Sequence, residues 1–255
     1  MGAKQTLTIE AVSKVFPLGR AKGQGKTITA LDSTSFKVLD NEFLSIVGPS
    51  GCGKSTLLRL MAGLDTPTTG QIAYLGQAVQ KPTGKIGLVF QDYSLLPWRT
   101  LVRNIELGLE FQGLPWRQAR DKALEYLDLV GLAASKDAYP HELSGGMRQR
   151  AAIARALAVE PDVLLMDEPF GALDAHTRLL MQRELLAIWE KHRKTVVFVT
   201  HSIDEAVYLS DRIVVMEKDP GRVIEVLDVD LPRPRTRKNP DFGKLTESIL
   251  ELLKY

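Results

Sequence analysis

A glycine-rich segment constrains the fold of this chain more than any other feature of its sequence. It covers residues 48–56, which are Gly48, Pro49, Ser50, Gly51, Cys52, Gly53, Lys54, Ser55 and Thr56. A continuous apolar run, Phe43–Val47, precedes it, and such runs are typical of strands buried on both faces of a parallel sheet. A helical pattern follows from about Lys54 to Gly63, a residue type that commonly ends helices. The segment therefore predicts a strand–loop–helix unit of an α/β fold.

The same segment fits the P-loop pattern G-x-x-x-x-G-K-S. Its glycines let successive backbone N–H groups point inward around a β-phosphate, because no Cβ obstructs them. The N-terminus of the following helix adds a partial positive charge. We expect Lys54 to reach the β- and γ-phosphates and the Ser55 hydroxyl to ligate Mg²⁺. Cys52 is expected to contribute its backbone rather than a reactive thiol.

Two more apolar runs, 163–166 and Thr195–Thr200, predict buried strands that each lead into a helix. The helix after the first run is expected over about 174–192, with an apolar face at helical spacing. Between the strand groups, the stretch 92–159 is helix-like and punctuated by glycine and proline. This order of patterns predicts a helical insertion within an α/β core.

Two further stretches are rich in predicted β-structure, and the C-terminal region has its own pattern. Residues up to about 40 and residues 72–90 are β-rich, with predicted turns at 19–25 and at Gly70. A strand at about 222–227 precedes a Pro-Arg segment and a short terminal helix. We therefore predict an α/β fold, a P-loop NTPase (RecA-like) core with an antiparallel β flank and an inserted helical subdomain. The expected domain covers 1–230, with the insertion at about 92–159, and a linker and helix cover 231–255.

Composition narrows the classes of function. The 255 residues carry 33 Lys and Arg against 31 Asp and Glu, a formal net charge of +2, which gives no electrostatic reason to expect a nucleic-acid partner. A single cysteine excludes an internal disulfide and favours a reducing compartment. The first residues lack the apolar region of a secretory signal, and no apolar run reaches the roughly 18 residues of a membrane-spanning helix. We expect a protein that acts outside the bilayer.

A second chemical feature is a pair of acids, Asp167 and Glu168, that ends an apolar strand. Charges at the end of a buried strand are costly unless they have partners. A helix cap is one explanation of such a pair. Beside a P-loop, the favoured explanation is that Asp167 holds Mg²⁺, generally through water, and that Glu168 orients and polarises an attacking water.

A third motif narrows the choice among nucleotide hydrolases. It consists of Leu143, Ser144, Gly145, Gly146 and Met147 and opens an Ala-rich helical stretch that ends before Pro161. A Ser-Gly-Gly turn at a helix N-terminus is suited to an anion, and this one lies about 90 residues after the P-loop. The motif resembles the signature sequence of ABC ATPases. The resemblance spans about residues 7–225, with six motifs in the order of the family.

Several residues take their expected roles from this resemblance. Gln91 is similar to the family's Q-loop glutamine, a ligand of Mg²⁺ and of water, and Asp174 matches the D-loop. His201 matches the switch histidine that contacts the γ-phosphate, although a histidine taken alone is more often structural. Phe16 is placed as the aromatic residue that stacks on adenine, with a buried aromatic of the β flank as the alternative. His141, His176 and His192 lack metal-ligand spacing and are expected at the surface.

The family resemblance implies a head-to-tail dimer of two such chains with two ATP molecules at the interface. Each ATP would be held by the P-loop of one chain and by Ser144, Gly145 and Gly146 of the other, and closure would move transmembrane permease subunits. Met147 departs from the family, which usually has Gln there, so any contact from that Gln side chain is absent. The implied location is the cytoplasmic face of the membrane, as a peripheral subunit, with a solute-binding protein as an indirect partner.

Two stretches outside these motifs are open to two explanations each. The apolar loop 93–98, which contains Trp98, either packs within the helical insertion or receives a short helix of the membrane subunit. The basic stretch Arg233, Arg235, Arg237 and Lys238 is expected to be a solvated linker, with contact to anionic lipid headgroups as the alternative.

Short sequence segments around the motifs are similar to those of the importer group for nitrate, sulfonates, taurine or bicarbonate. They include Leu-Leu-Pro-Trp at 95–98 and Asp-Pro-Gly-Arg-Val at 219–223. Three alternatives remain at this stage. They are an ABC system for lipid handling or export, a soluble ABC ATPase that acts on nucleic acid, ribosomes or cofactor assembly, and a nucleotide-gated clamp that does not hydrolyse ATP.

Overall fold

A computed structural model describes residues 4–18 and 26–253 of the chain. The turn predicted at 19–25 lies outside the described residues. Two compact units are present, one formed by residues 1–83 and 195–255 and the other by residues 84–194. We refer to them as the first unit and the second unit.

The chain begins with three strands, and helices and strands are interspersed after them. In the described residues the strands are β1 Gln5–Leu18, β2 Lys26–Leu39, β3 Phe43–Val47, β4 Thr69–Tyr74, β5 Gln77–Ala78, β6 Ile86–Val89, β7 Val163–Asp167, β8 Thr195–Thr200, β9 Arg212–Glu217 and β10 Arg222–Asp228. The helices are α1 Lys54–Met61, α2 Leu101–Phe111, α3 Trp116–Leu129, α4 Gly145–Ala158, α5 Ala175–His192, α6 Ile203–Leu209 and α7 Pro240–Leu252. This order confirms the predicted α/β class, including the helical stretch between two groups of strands.

The first unit contains the β flank and a set of mainly parallel strands. Strands β2, β1, β4 and β5 form an antiparallel sheet in that order. Strand β3 pairs in parallel with β8 on one side and β9 on the other, and β10 is antiparallel to β9. All five residues of β3 and all six of β8 are buried, as expected for parallel strands covered on both faces.

In the second unit, a helical core accompanies a pair of parallel strands. Strand β6 is parallel to β7, with Val89 opposite Met166. Helices α2, α3 and α4 bury a shared apolar cluster that includes Ile105, Leu109 and Leu127. Gly113, with φ of 78°, forms the turn between α2 and α3. The helices lie where the insertion was expected, while the domain boundaries at 92 and 159 stay a prediction.

The expectation that the basic stretch near the C-terminus is a solvated linker is wrong for its three arginines, whereas Lys238 is exposed. Arg235 is only 7% exposed, and its guanidinium donates hydrogen bonds to backbone carbonyls of the first unit. Arg233 and Arg237 form ion pairs with Asp211 and Asp204. Carbonyls at the end of a helix need donors, and the arginines supply them. Contact of these three side chains with lipid headgroups is therefore not favoured either.

No helix among residues 4–18 and 26–253 combines the length and the apolar character required to cross a membrane.

Candidate functional site

The P-loop lies between β3 and α1 in the first unit, and close contacts require glycine at two of its positions, Gly48 and Gly53. A Cβ built on Gly48 would lie 2.4 Å from the carbonyl oxygen of Met216. Gly53 has φ of 91°, and a Cβ there would lie 2.6 Å from the oxygen of Ala30. Only glycine combines this conformation with so little room. The loop is therefore compact, with backbone packed against it from strands β2 and β9.

Lys54 and Cys52 occupy the interior of this loop. The Lys54 side chain is buried, and its Nζ donates to the carbonyl oxygens of Gly48 at 2.8 Å and Pro49 at 3.0 Å. These bonds hold a cationic group within the loop. Cys52 is fully buried, and burial raises the pKa of its thiol, so the thiol is an inert packing group. The backbone role expected for Cys52 in phosphate binding stays a prediction.

The N-terminus of α1 is suited to an anion. Gly53, its N-cap residue, has no side chain that could cap the helix, and no acidic residue lies in the first turn. The first N–H groups of a helix have no partners within the helix, and they carry the positive end of its dipole. Ser55 lies in this first turn with an exposed side chain. A phosphate group at this position would meet N–H donors, the Lys54 cation and a hydroxyl.

His201 emerges beside the P-loop. Strand β8 is in parallel register with β3, with Thr200 opposite Val47, so that Gly48 and His201 both follow at the same edge of neighbouring strands. The histidine is exposed. Carboxyl ends of parallel strands are a common location for ligand sites. The structure therefore brings this predicted residue close to the P-loop within the first unit.

A residue that the sequence analysis missed supports the turn at His201. Glu205 is 5% exposed, and its carboxylate accepts a short hydrogen bond from the Thr200 hydroxyl. The Ser202 N–H donates to Thr200 Oγ1 at 3.0 Å, and Ser202 Oγ accepts the Glu205 N–H at 3.3 Å. The pattern Ser-x-x-Glu, a capping box at a helix start, was the available signal.

Phe16 lies on β1 and is 37% exposed, so it is not a buried aromatic of the β flank. The Lys14 ammonium lies 5.0 Å from the ring centroid, a distance at which a cation interacts favourably with an aromatic face. Lys14 is itself held by Asp65 at 2.6 Å and by the carbonyl of Thr66. Stacking of adenine on the ring stays a prediction.

Gln91 and Glu168 lie near one another in the second unit. Strands β6 and β7 are parallel and end at the same edge. A Cβ built on Gly171 would lie 3.8 Å from Glu168 Oε2 and 3.9 Å from Gln91 Nε2. The backbone of Glu168 has φ of 40°, a strained value for a residue other than glycine, and such strain is concentrated at functional sites. The turn that follows is closed by the Gly171 N–H bonded to the Glu168 carbonyl at 3.1 Å.

The donors predicted for Mg²⁺ are the Ser55 hydroxyl, the Gln91 amide oxygen and the Asp167 carboxylate. All three are hard oxygen ligands of the kind that Mg²⁺ binds together with water and phosphate oxygens. Within residues 4–18 and 26–253, no cluster of three or more His, Cys, Asp or Glu side chains has the geometry of a metal site. The chemistry of the three predicted donors fits Mg²⁺ bound together with the phosphate oxygens of a nucleotide.

The signature motif begins α4 as expected. Ser144 is the N-cap residue, and its Oγ accepts the Met147 N–H at 3.3 Å. No acidic residue lies in the first turn of α4, which keeps this helix end attractive to an anion. The Met147 side chain packs against the helical core of the second unit. The residue that departs from the family pattern therefore has a packing role.

A second set of residues missed from the sequence links the Q-loop to this helix. Arg155 of α4 donates to the carbonyl oxygens of Ser94 at 2.6 Å and Tyr93 at 3.1 Å. The Arg148 guanidinium lies 5.4 Å from the Tyr93 ring centroid, and a Cβ built on Gly145 would lie 3.3 Å from the Tyr93 hydroxyl. Two arginines seven residues apart on one helical face were the available signal.

Asp174 caps the next helix of the second unit. Its carboxylate accepts the N–H groups of His176 at 3.1 Å and Thr177 at 3.0 Å. Hydrogen bonds from Thr177 hold the pKa of this carboxyl below its usual value. His141 and His176 are exposed, as expected, and the side chain of His192 lies outside the described residues.

The apolar loop after Gln91 packs within the helical insertion only in part, and its expected contact with a membrane subunit stays a prediction. Leu95 packs against the helical core, whereas the Trp98 side chain is 72% exposed. Trp98 borders an open groove of about 570 Å³. Its other walls include Arg99, Arg103, Glu110, Arg120 and Tyr139. This groove presents an aromatic side chain beside several guanidinium groups.

Comparison with known proteins yields one family and several full-length relatives. The family model described as "ABC transporter" matches residues 31–171. An ABC transporter ATP-binding protein of Methanocaldococcus jannaschii is 50% identical over 98% of this chain and 92% of its own length. The aliphatic sulfonates import ATP-binding protein of Bacillus cereus is 44% identical over 98% of this chain and 96% of its own length. The taurine import ATP-binding protein of Rhizobium johnstonii is 48% identical over 90% of each chain.

A solved structure supplies a nucleotide-bound relative. It is the dimeric, post-hydrolysis state of an ATP-binding cassette bound to ADP and Pi, with 34% sequence identity and a TM-score of 0.77. The match covers 89% of this chain and 100% of that chain. The similarity therefore extends over both units described above.

Proposed function

The chain belongs to the ABC transporter family, and we propose that it is the ATP-hydrolysing subunit of an importer for a small oxyanion. It is an ABC-type ATPase and an ATP-binding subunit. The proposed solute class includes nitrate, sulfonates, taurine and bicarbonate. The relatives named for import of aliphatic sulfonates and of taurine support this class, since each aligns over 90% or more of its length.

Two observations carry the proposal: the first unit contains a complete P-loop with a buried Lys54, and the second unit places Glu168 beside Gln91 at the common edge of β6 and β7. In the proposed reaction the P-loop N–H groups and Lys54 bind the phosphates of ATP. Glu168 accepts a hydrogen bond from the attacking water and polarises it, and His201 contacts the γ-phosphate. Bound Mg²⁺, held by Ser55, Gln91 and Asp167, would offset the phosphate charge. The work of the protein is positioning and charge stabilisation.

Dimerisation is part of the proposal because one chain supplies only part of each ATP site. Ser144, Gly145 and Gly146 begin α4 with N–H donors directed away from the helix. They would bind the phosphates of ATP on a second copy. The dimeric relative bound to ADP and Pi supports this arrangement.

The proposed partner is a transmembrane permease at the cytoplasmic face of the membrane, with a solute-binding protein acting on the opposite side. The groove beside Trp98 is the proposed docking site for the permease. Its exposed indole, beside polar and charged side chains that include Arg99 and Glu110, is suited to a short helix with an apolar anchor.

Substitution Glu168→Gln tests the hydrolytic assignment. The amide keeps the size of the side chain but lacks the charge that polarises water, so we expect ATP turnover to fall about 100-fold or more while ATP binding is retained. Turnover is measured as phosphate release and binding as the rise in melting temperature with ATP. A matched change of an exposed glutamate, Glu190→Gln, should leave turnover intact. Turnover by Glu168→Gln at the parent rate would remove Glu168 from the mechanism and favour another water-positioning group.

Copurification tests the importer assignment. The tagged chain is isolated from gently solubilised native membranes and its partners are identified. A multi-span permease is the expected partner, and candidate oxyanions can then be tested for uptake with that complex. Recovery of soluble partners or ribosomes alone would leave the ATPase chemistry intact but contradict the transport role.

A further inference from the structure

Three arginines near the C-terminus converge on one short helix. They alternate along residues 233–237, which we call the arginine segment, and they contact α6 or the residues that flank it. Helix α6, Ile203–Leu209, begins two residues after His201. The local sequence of this segment gives no indication of a role in ATP chemistry. Its contacts suggest one.

Arg235 closes the C-terminal end of α6. Its Nη1 donates to the carbonyl oxygens of Val207 at 2.8 Å and Tyr208 at 3.3 Å, and also to that of Ser210. Its Nε donates to Leu231 O at 3.0 Å. Burial, with a smaller effect of nearby Arg233, lowers the pKa of Arg235 to about 10, so the side chain is charged at neutral pH. A cation with several donors at this end satisfies the last carbonyls and the helix dipole.

Arg233 and Arg237 hold the rest of the helix. Arg233 donates to Leu209 O and forms an ion pair with Asp211, which follows the helix. Arg237 binds both carboxylate oxygens of Asp204, with Nε at 2.8 and 2.9 Å and Nη2 at 2.6 Å. Asp204 lies in the first turn of α6. The arginine segment therefore holds this helix at both ends.

The start of α6 is in turn bonded to the strand that leads to His201. The buried carboxylate of Glu205 accepts the Thr200 hydroxyl, and Ser202 bonds to both of these residues. A helix of seven residues is too short to be stable by itself in water. The position of its first turn, and with it the direction of the chain at His201, thus depends on what holds the helix.

We propose that Arg235 and Arg237 are positioning residues. By holding α6 in place, they fix the turn between β8 and α6 that contains His201. The proposal rests on the proposed function, in which His201 contacts the γ-phosphate. It makes the arginine segment part of the requirement for ATP hydrolysis, although its residues are not among those proposed to bind the nucleotide. Glu205 is the intermediate link, because it joins the first turn of the helix to Thr200.

Substitution Arg237→Gln tests the proposal without opening the core, since the Arg237–Asp204 ion pair is partly exposed. Removal of such a pair has little effect on stability. Displacement of a catalytic group by about 1 Å can cost 100-fold in rate. We expect kcat for ATP to fall about tenfold, with KM unchanged within about twofold because the P-loop is intact. Exchange of the two charges, Arg237→Asp with Asp204→Arg, should restore part of the rate.

Two further variants complete the series. Arg235→Lys keeps the buried charge but cannot reach the same set of carbonyls, and it should lower kcat in the same way. Lys244→Gln removes another exposed ion pair, with Asp241 on α7, and should leave kcat unchanged. An equal kcat in the parent, Arg237→Gln and Arg235→Lys would overturn the proposal. If kcat and the melting temperature fell together in these variants, and if the charge exchange did not restore kcat, the arginine segment would have only a structural role.

Histidine ring NMR gives a readout that does not depend on turnover. The chain has four histidines, so His201 can be assigned by comparison with His201→Gln. We expect Arg237→Gln to shift or broaden the His201 signal and to leave those of His141 and His176 in place. An unchanged His201 signal would contradict the proposal. If the parent chain failed to hydrolyse ATP, the proposed function would be wrong, whereas this measurement would still report whether the segment positions His201.

Discussion

At the scale of single residues, the structure explains a departure from the family pattern. Met147 stands in the signature where glutamine is usual, and its side chain packs against the apolar cluster of α2, α3 and α4. The cap at Ser144 is unaffected because it uses the backbone N–H of residue 147. The change therefore exchanges a polar group for apolar packing at a position beside the proposed ATP contact of the partner chain.

Substitution Met147→Gln should lower the free energy of unfolding by about 1 kcal/mol, because it removes partly buried apolar surface. Met147→Leu conserves the volume and apolar character and should have a smaller effect. Urea denaturation of the three proteins, followed by circular dichroism, measures the difference. Equal midpoints for Met147→Gln and the parent would show that this packing contributes nothing to stability.

At the scale of elements, a polar residue organises the loop that displays Trp98. Asn104 of α2 is fully buried, its side-chain oxygen accepts the Leu96 N–H at 2.7 Å, and its amide nitrogen donates to the Arg99 carbonyl at 2.9 Å. Three carbonyls and one N–H of this loop are bound in total. Because the backbone is fixed from within, the Trp98 side chain is held at the surface rather than collapsing onto the apolar core.

Substitution Trp98→Ala should weaken assembly with the permease and leave ATP binding unchanged, because the side chain borders the groove and lies outside the P-loop unit. Exposed aromatic anchors often contribute 2 kcal/mol or more to an interface, which corresponds to roughly a 30-fold loss of affinity. Trp116→Ala is the matched control, since this second tryptophan is 59% exposed but does not line the groove. Recovery of the complex is measured by copurification, and equal recovery for Trp98→Ala and the control would contradict docking at this groove.

At the scale of the whole molecule, the proposed reaction needs two chains. In the proposal each ATP is bound by the P-loop of one chain and by Ser144, Gly145 and Gly146 of the other, so neither chain alone completes a site. A slow variant such as Glu168→Gln is expected to accumulate the ATP-bound dimer, because hydrolysis no longer opens it.

Light scattering with size exclusion should give twice the 28.3 kDa mass of one chain for Glu168→Gln with ATP, and the monomer mass without it. Adding Ser144→Arg places a bulky side chain at the exposed N-cap of α4 and should prevent the dimer. Ser248→Arg, on the exposed side of α7, is the matched control and should not. Dimerisation by the Ser144→Arg protein would show that the signature does not face the partner.

The sequence alone determined the α/β class, the P-loop and the order of the motifs, because these depend on local patterns. Gly53 needs a left-handed conformation, β3 and β8 are continuous apolar runs, and Asp174 and Ser144 are ordinary N-cap residues. Each of these signals involves neighbours within a few positions, so it can be recognised without knowledge of the rest of the chain.

The tertiary structure alone decided how side chains distant in sequence are used. Arg235 was expected in solvent but is buried against carbonyls 25 to 28 positions earlier in the chain, and Arg155 binds a loop about 60 positions away. A charged side chain is costly to bury unless several partners surround it. Whether those partners exist depends on which segments the fold brings together, and local pattern carries no information about that.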